Sequence, residues 1–109
     1  MDAVIDIGSN SVRLALDRGE SVNPKLINTT CLADGLAKTG RLSDEAMQRT
    51  LAAIVEFASK AREERADNIY IFATEAMRSA TNGGEFRSAV EKAVSLPVRV
   101  ISGDAEARL

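Results

Sequence analysis

The chain contains no histidine, and this absence excludes much of enzyme chemistry. Serine–histidine triads, cysteine–histidine pairs and histidine-ligated zinc sites cannot be assembled from its residues alone. The single cysteine, Cys31, excludes a disulfide framework and is typical of a protein of the reducing cytoplasm. Any catalysis must use carboxylates, hydroxyls, backbone amides and cations. This set suits magnesium-assisted phosphoryl chemistry, which depends on positioning and charge neutralisation.

Long apolar runs and an excess of basic residues are also missing. No stretch approaches the roughly 18 apolar residues of a membrane span, and the chain start lacks the basic segment of a signal peptide. We therefore expect no membrane partner. The net charge of -2 and the pI of about 5.2 argue against DNA as a partner. A chain of 109 residues has room for one small domain.

Hydrophobic patterning predicts an α/β fold with the element order β-β-β-α-β-α-β-α. Short apolar or alternating runs predict an antiparallel meander followed by two further strands. The predicted strands are residues 3–7, 12–17, 25–33, 69–72 and 98–101.

Two amphipathic helices are predicted between these strands. Ser43 is a good N-cap for the first, which we expect to reach about residue 65. Its inward positions recur at helical spacing: Met47, Leu51, Ile54, Val55 and Ala58.

The second helix follows a polar loop predicted over residues 74–82. Asn82 and Glu85 have capping-box spacing, with Asn82 as the cap, and Pro97 is expected to stop the helix. A third helix is predicted to begin near Gly103 and to be cut short by the end of the chain.

Three polar clusters fall at the carboxyl ends of the first, fourth and fifth predicted strands. Helix crossovers make these strands parallel, so the clusters at residues 6–11, 74–78 and 102–106 are expected on one edge of the sheet. Open α/β sheets bind their ligands at that edge. The coincidence of all three clusters there predicts a site.

The first cluster has the chemistry of a phosphate turn. Gly8 permits close approach of the backbone to a ligand, and the amides of Ser9, Asn10 and Ser11 can point at phosphate oxygens. Asp6 can hold a water on Mg²⁺. A plain hairpin turn with a paired carboxylate remains the alternative interpretation.

The other two clusters supply an arginine and a candidate base. Arg78 can grip a phosphate bidentately, aligned by Glu75, or be a solvated loop residue. Glu106 can take a proton from an attacking water, or only favour the dipole at a helix start.

All three segments resemble one family. Residues 6–14, 74–82 and 101–109 are similar, in order, to segments of the exopolyphosphatase/guanosine pentaphosphate phosphohydrolases, members of the actin, Hsp70 and sugar-kinase superfamily. The resemblance implies a ribonuclease H-like, actin-like ATPase fold with a mixed five-stranded sheet. It also implies Mg²⁺-dependent release of terminal phosphate from polyphosphate or guanosine pentaphosphate, the latter a stringent-response nucleotide. Sequence does not choose between these substrates.

The resemblance also implies a role for each matching residue. Glu106 would be the catalytic base, and Asp6 would help to hold the metal. Where the family often has a second glutamate this chain has Ala105, so the base is placed one residue on. The implied phosphate-binding residues are Gly8, Ser9, Asn10, Ser11 and Arg78, with Thr74, Glu75 and Arg13 in support.

A second glycine-rich phosphate loop, which the family carries, is absent from these residues. Residues 1–109 are therefore expected to be the amino-terminal, incomplete part of the first actin-like ATPase domain, inactive alone, from a homodimeric parent. Two other functions stay open: a phosphotransferase related to sugar and acetate kinases, and a non-enzymatic sensor of a phosphorylated nucleotide.

Overall fold

A computed structural model describes residues 1–17 and 22–101, which form a five-stranded sheet with helices. The strands are β1 (Asp2–Ile7), β2 (Val12–Asp17), β3 (Val22–Asn28), β4 (Asn68–Ala73) and β5 (Val98–Val100). The helices are α1 (Leu36–Thr39), α2 (Asp44–Glu63), α3 (Glu75–Ser79) and α4 (Gly83–Val94). None of the helices within the described ranges is long and apolar enough to cross a membrane.

The sheet has the order β3-β2-β1-β4-β5. β2 runs antiparallel to β1 and β3, whereas β4 runs parallel to β1 and β5. The predicted meander and the parallel arrangement of the first, fourth and fifth strands are therefore confirmed. β5 ends one residue earlier than predicted, and the helix predicted from Gly103 lies outside the described residues.

The core lies between one face of the sheet and helices α2 and α4. Ala3, Ile5 and Ile7 of β1 are buried, and the residues between them are half-buried. The buried residues form one cluster with apolar side chains of both helices, such as Phe57 and Phe86. Full burial of a large apolar side chain contributes about 1.5–3 kcal/mol, so the alternation along β1 decides which face the helices cover.

Helix α2 begins as predicted. The Ser43 hydroxyl oxygen accepts a hydrogen bond from the Ala46 amide at 3.1 Å, satisfying one of the unpaired donors of the first turn. Of the predicted inward positions, Ile54 is fully buried but Val55 is 43% exposed. The prediction for Val55 was wrong because the buried stripe runs through small residues such as Ala53 instead.

The third strand was predicted at residues 25–33, but β3 begins three residues earlier, at Val22. β3 ends at Asn28, and residues 29–33 leave the sheet. Cys31 has a positive φ of 52°. Its amide donates to the carbonyl oxygen of Asn10 at 2.9 Å, and the Ala33 amide donates to that of Ser9 at 3.0 Å. Side-chain alternation does not reveal these long-range partners.

The segment 74–82, predicted to be a polar loop throughout, contains a short helix, α3. A five-residue helix is too short to be stable by its own propensity, so its contacts with α4 and β4 support it. Gly83 opens α4 against α3: a Cβ there would lie 1.9 Å from the Met77 carbonyl oxygen.

Asn82 holds the N-cap position of α4 but does not cap it, which corrects the capping-box prediction. Its side chain instead pairs with the backbone of Leu42. The Leu42 amide donates to Asn82 Oδ1 at 2.8 Å, and Asn82 Nδ2 donates to the Leu42 carbonyl oxygen at 3.0 Å. At the other end of α4, Ser95, with a left-handed φ of 59°, already ends the helix before Pro97.

Candidate functional site

The ends of β1, β4 and β5 meet at one edge of the sheet. Ile7 is level with Ala73, and Ala73 with Val100. The Thr74 amide donates to the Ile7 carbonyl oxygen at 3.4 Å, and the Ile101 amide donates to that of Ala73 at 2.9 Å. The chain therefore leaves β1, β4 and β5 at neighbouring points, at Gly8, Thr74 and Ile101.

The turn after β1 comprises residues Gly8, Ser9, Asn10 and Ser11, here called the phosphate turn. The Gly8 amide donates to the Ser11 carbonyl oxygen at 2.9 Å, and a Cβ at Gly8 would lie 3.0 Å from the same oxygen. A side chain at Gly8 would therefore require the turn to shift by a few tenths of an ångström. Within residues 1–17 and 22–101 the amides of Ser9 and Asn10 donate to no acceptor, so they remain available to a ligand.

Asp6 lies one residue before the end of β1. Its side chain is half-buried and belongs to the sheet face opposite to Ile5 and Ile7. In the ladder it is level with Arg13 of β2, whose side chain is exposed, and with Phe72 of β4. Arg13 therefore places an opposite charge at the facing position of the ladder.

Arg78 reaches from α3 to the end of β5. Its Nη1 donates to the Ile101 carbonyl oxygen at 2.8 Å. Thr74, which precedes α3, is buried, and its carbonyl oxygen accepts from the Arg78 amide at 3.2 Å. Glu75 opens α3. Its predicted alignment of Arg78 stays a prediction.

The third cluster, with the predicted base Glu106, lies outside the described residues. Its attachment point is described, because the Ile101 amide and carbonyl oxygen are bonded to β4 and to Arg78. The structure thus brings Asp6, the phosphate turn, Thr74 and Arg78 to the edge from which the Glu106 segment starts.

Sequence reasoning missed the residues behind the phosphate turn. Thr30, Cys31 and Ala33 contact the turn or its supports through backbone atoms, and Arg49 of α2 donates from Nε to the Thr30 carbonyl oxygen at 3.0 Å. Backbone bonds leave no side-chain pattern, so no local signal in the sequence reveals them.

A mixed sheet of order β3-β2-β1-β4-β5 with polar residues at its parallel strand ends defines a ribonuclease H-like, actin-like ATPase fold. Residues 24–109 match the Ppx/GppA phosphatase family. This match covers most of the chain, and the chain belongs to that family.

Individual relatives support this family assignment. The chain is 37% identical to the guanosine-5'-triphosphate,3'-diphosphate pyrophosphatase of Vibrio cholerae serotype O1, over 96% of the chain but 22% of that protein. It superposes on the Aquifex aeolicus Ppx/GppA phosphatase with a TM-score of 0.87 and 34% identity, over 98% of the chain and 37% of that structure. For an exopolyphosphatase from Cytophaga hutchinsonii the TM-score is 0.84 and the identity 25%, over 98% and 36%. The chain therefore spans about a fifth to just over a third of the length of these relatives.

Proposed function

We propose that the protein containing this chain is a phosphohydrolase that removes terminal phosphate from inorganic polyphosphate, guanosine pentaphosphate or both. Two relatives support these substrates, one named for a guanosine nucleotide and one for exopolyphosphatase activity. A cytoplasmic, homodimeric parent remains our expectation from the sequence.

The observation that carries the proposal is the convergence of strand ends. At the ends of β1, β4 and β5 the Thr74 amide bonds to Ile7 and the Ile101 amide to Ala73, and Arg78 bonds to the Ile101 carbonyl oxygen. A terminal phosphate bound at this edge would meet the amides of the phosphate turn and the Arg78 guanidinium. Backbone amides and guanidinium groups stabilise the charge of phosphoryl transition states.

The proposed reaction is attack of water on the terminal phosphorus. Glu106 accepts the water proton, a P–O bond to the attacking oxygen forms, and the bridging P–O bond breaks, releasing orthophosphate and the shortened substrate. Ser9, Asn10, Ser11 and Arg78 hold the phosphate in line.

The residues present fit magnesium. Mg²⁺ commonly binds through one or two carboxylates together with waters and substrate phosphates. The described residues contain no group of three metal-ligating side chains that would form a protein cage, whereas the half-buried Asp6 lies close to the phosphate turn. Asp6 would hold the ion, which would supply neutralisation of phosphate charge.

The decisive experiment uses the full-length protein with Mg²⁺ and compares Glu106→Gln with a control, Glu56→Gln, on the exposed side of α2. We expect the Glu106 variant to bind tripolyphosphate but to lose phosphate release at least about 100-fold, as for loss of a general base, while the control is unchanged. Equal activity of both variants would contradict the assignment of the base.

The same assay separates the alternatives. Phosphate transfer from ATP to acetate or a sugar, without release to water, would identify a kinase, whereas binding without turnover by the unmodified protein would identify a sensor. The 109-residue chain alone should release no phosphate, because one wall of a phosphate clamp provides neither full positioning nor full neutralisation.

A further inference from the structure

Two peptide groups, Thr30–Cys31 and Asn10–Ser11, connect Arg49 to the Ser11 amide through consecutive hydrogen bonds. We call this connection the series. Arg49 Nε donates to the carbonyl oxygen of Thr30. The amide of the same peptide group, that of Cys31, donates to the Asn10 carbonyl oxygen. The amide that shares a peptide group with this oxygen belongs to Ser11.

Because each peptide group is planar, a hydrogen bond to its carbonyl oxygen also fixes the direction of its amide. None of the described peptide bonds is cis, and in a trans peptide the carbonyl and the following amide point in opposite directions. Anchoring the Asn10 carbonyl on Cys31 therefore turns the Ser11 amide away from residues 30–33. The bond from the Ala33 amide to Ser9 turns the Asn10 amide away in the same manner.

The support behind the turn is itself fixed. Thr30 is 2% exposed and Leu32 is fully buried in the core. Arg49 lies within the 20-residue helix α2, next to the fully buried Thr50. The Arg49 side chain thus extends from a long helix to a backbone segment that is anchored by buried side chains.

The Arg49 charge also polarises the hydrogen bonds of the series. A hydrogen bond from a guanidinium is charge-assisted, and chained hydrogen bonds polarise one another, by perhaps 10–30% per bond. The Arg49 charge makes the Cys31 amide a stronger donor, which in turn makes the Ser11 amide a stronger donor.

We propose that Arg49 is a positioning residue for phosphate binding, acting through the Thr30–Cys31 and Asn10–Ser11 peptide groups on the Ser11 amide. The proposal rests on the proposed function, since it assumes that the phosphate turn binds phosphate. It adds a residue on α2 to a site built from strand ends.

The test compares Arg49→Met and Arg49→Lys with Arg62→Met in the full-length protein. Arg62 is a matched control, because it also donates from α2 to a backbone carbonyl, that of Val94, at 2.6 Å. We expect Arg49→Met to raise KM for tripolyphosphate about two- to tenfold, the worth of one hydrogen bond, with kcat nearly unchanged. Arg49→Lys should recover part of the loss, and Arg62→Met should leave KM as it was.

A second readout does not need activity. With ¹⁵N-serine labelling, the Ser11 amide proton signal should move upfield in Arg49→Met and stay in place in Arg62→Met, since only the first variant weakens the series. An unmoved Ser11 signal, or a KM rise of equal size in both methionine variants, would overturn the proposal. Absence of turnover in the unmodified protein would refute the proposed function alone, leaving Arg49 to be judged by the Ser11 signal.

Discussion

The phosphate turn and the α3–α4 junction contain similar residues that serve opposite purposes. Asn10 is exposed and its amide has no acceptor within the described chain, whereas Asn82 is buried and both ends of its carboxamide are bonded to Leu42. Both asparagines lie in segments that resemble the family. A shared segment therefore mixes residues that bind ligand with residues that hold the fold, and burial with hydrogen bonding separates the two.

The two glycines of these regions provide the largest expected contrast. Gly83→Ala should destabilise the chain by more than about 4 kcal/mol, because its Cβ would overlap the Met77 carbonyl oxygen. Severe steric overlap is one of the few causes of so large a loss of stability. Gly8→Ala, with its contact at 3.0 Å, should cost much less. Urea unfolding of both variants measures the difference, and similar midpoints would contradict it.

The two asparagines give the next contrast. Asn82→Ala leaves a buried amide and carbonyl of Leu42 without partners, at about 1–3 kcal/mol each. Asn10→Ala should leave the free energy of unfolding within about 0.5 kcal/mol, as for surface substitutions. The same unfolding experiment checks both, and a neutral Asn82 variant would remove the structural role given to this residue.

A buried hydroxyl without a hydrogen-bond partner provides a further contrast, because its removal should stabilise the fold. The hydroxyl of Thr50 is buried and has no hydrogen-bond partner in the described residues. Thr50→Val keeps the shape and removes the unpaired group, so it should raise the free energy of unfolding by about 1 kcal/mol. Chemical denaturation tests this, with the exposed Thr81 as control site. Destabilisation by the valine would mean that the hydroxyl has a partner.

The smallest expected effect concerns an exposed ion pair. Asp67 bonds to the amino-terminal ammonium of Met1, and this hydrogen bond, with the attraction between the charges, lowers the pKa of Asp67 below 3.8. A lowered pKa means that the contribution to stability is present above pH 3.8 and is lost as the pH falls through the folded-state pKa.

Thermal unfolding of Asp67→Asn against the unmodified chain, from pH 7 to pH 2, measures this contribution. The variant should be slightly less stable at neutral pH, and the gap should close in acid. A gap that is constant with pH would show that the ion pair is not its source.

The parts of the fold that sequence predicted are those governed by local patterns. Strand β1 and helix α2 follow from alternation and from the Ser43 cap. The common edge of the strand ends followed from the parallel direction of strands that helix crossovers join, so Asp6, Gly8 and Arg78 were assigned to the correct edge.

What sequence did not predict depends on distant partners. Asn82 has a good local capping pattern, yet its bonding partner Leu42 is forty residues away in the chain. Helix α3 needs its neighbours in order to form. The segment after β3 leaves the sheet because of backbone bonds to Ser9 and Asn10. None of these contacts has a periodic signature.

The backbone nature of the support behind the phosphate turn has a consequence for how such proteins diverge. Cys31 and Ala33 contribute only main-chain amides to it. Ala33 also packs against the core, but the exposed side chain of Cys31 is free to change, provided that position 31 tolerates a φ near 52°, as asparagine or glycine would. Two relatives can therefore share the same support while differing at position 31.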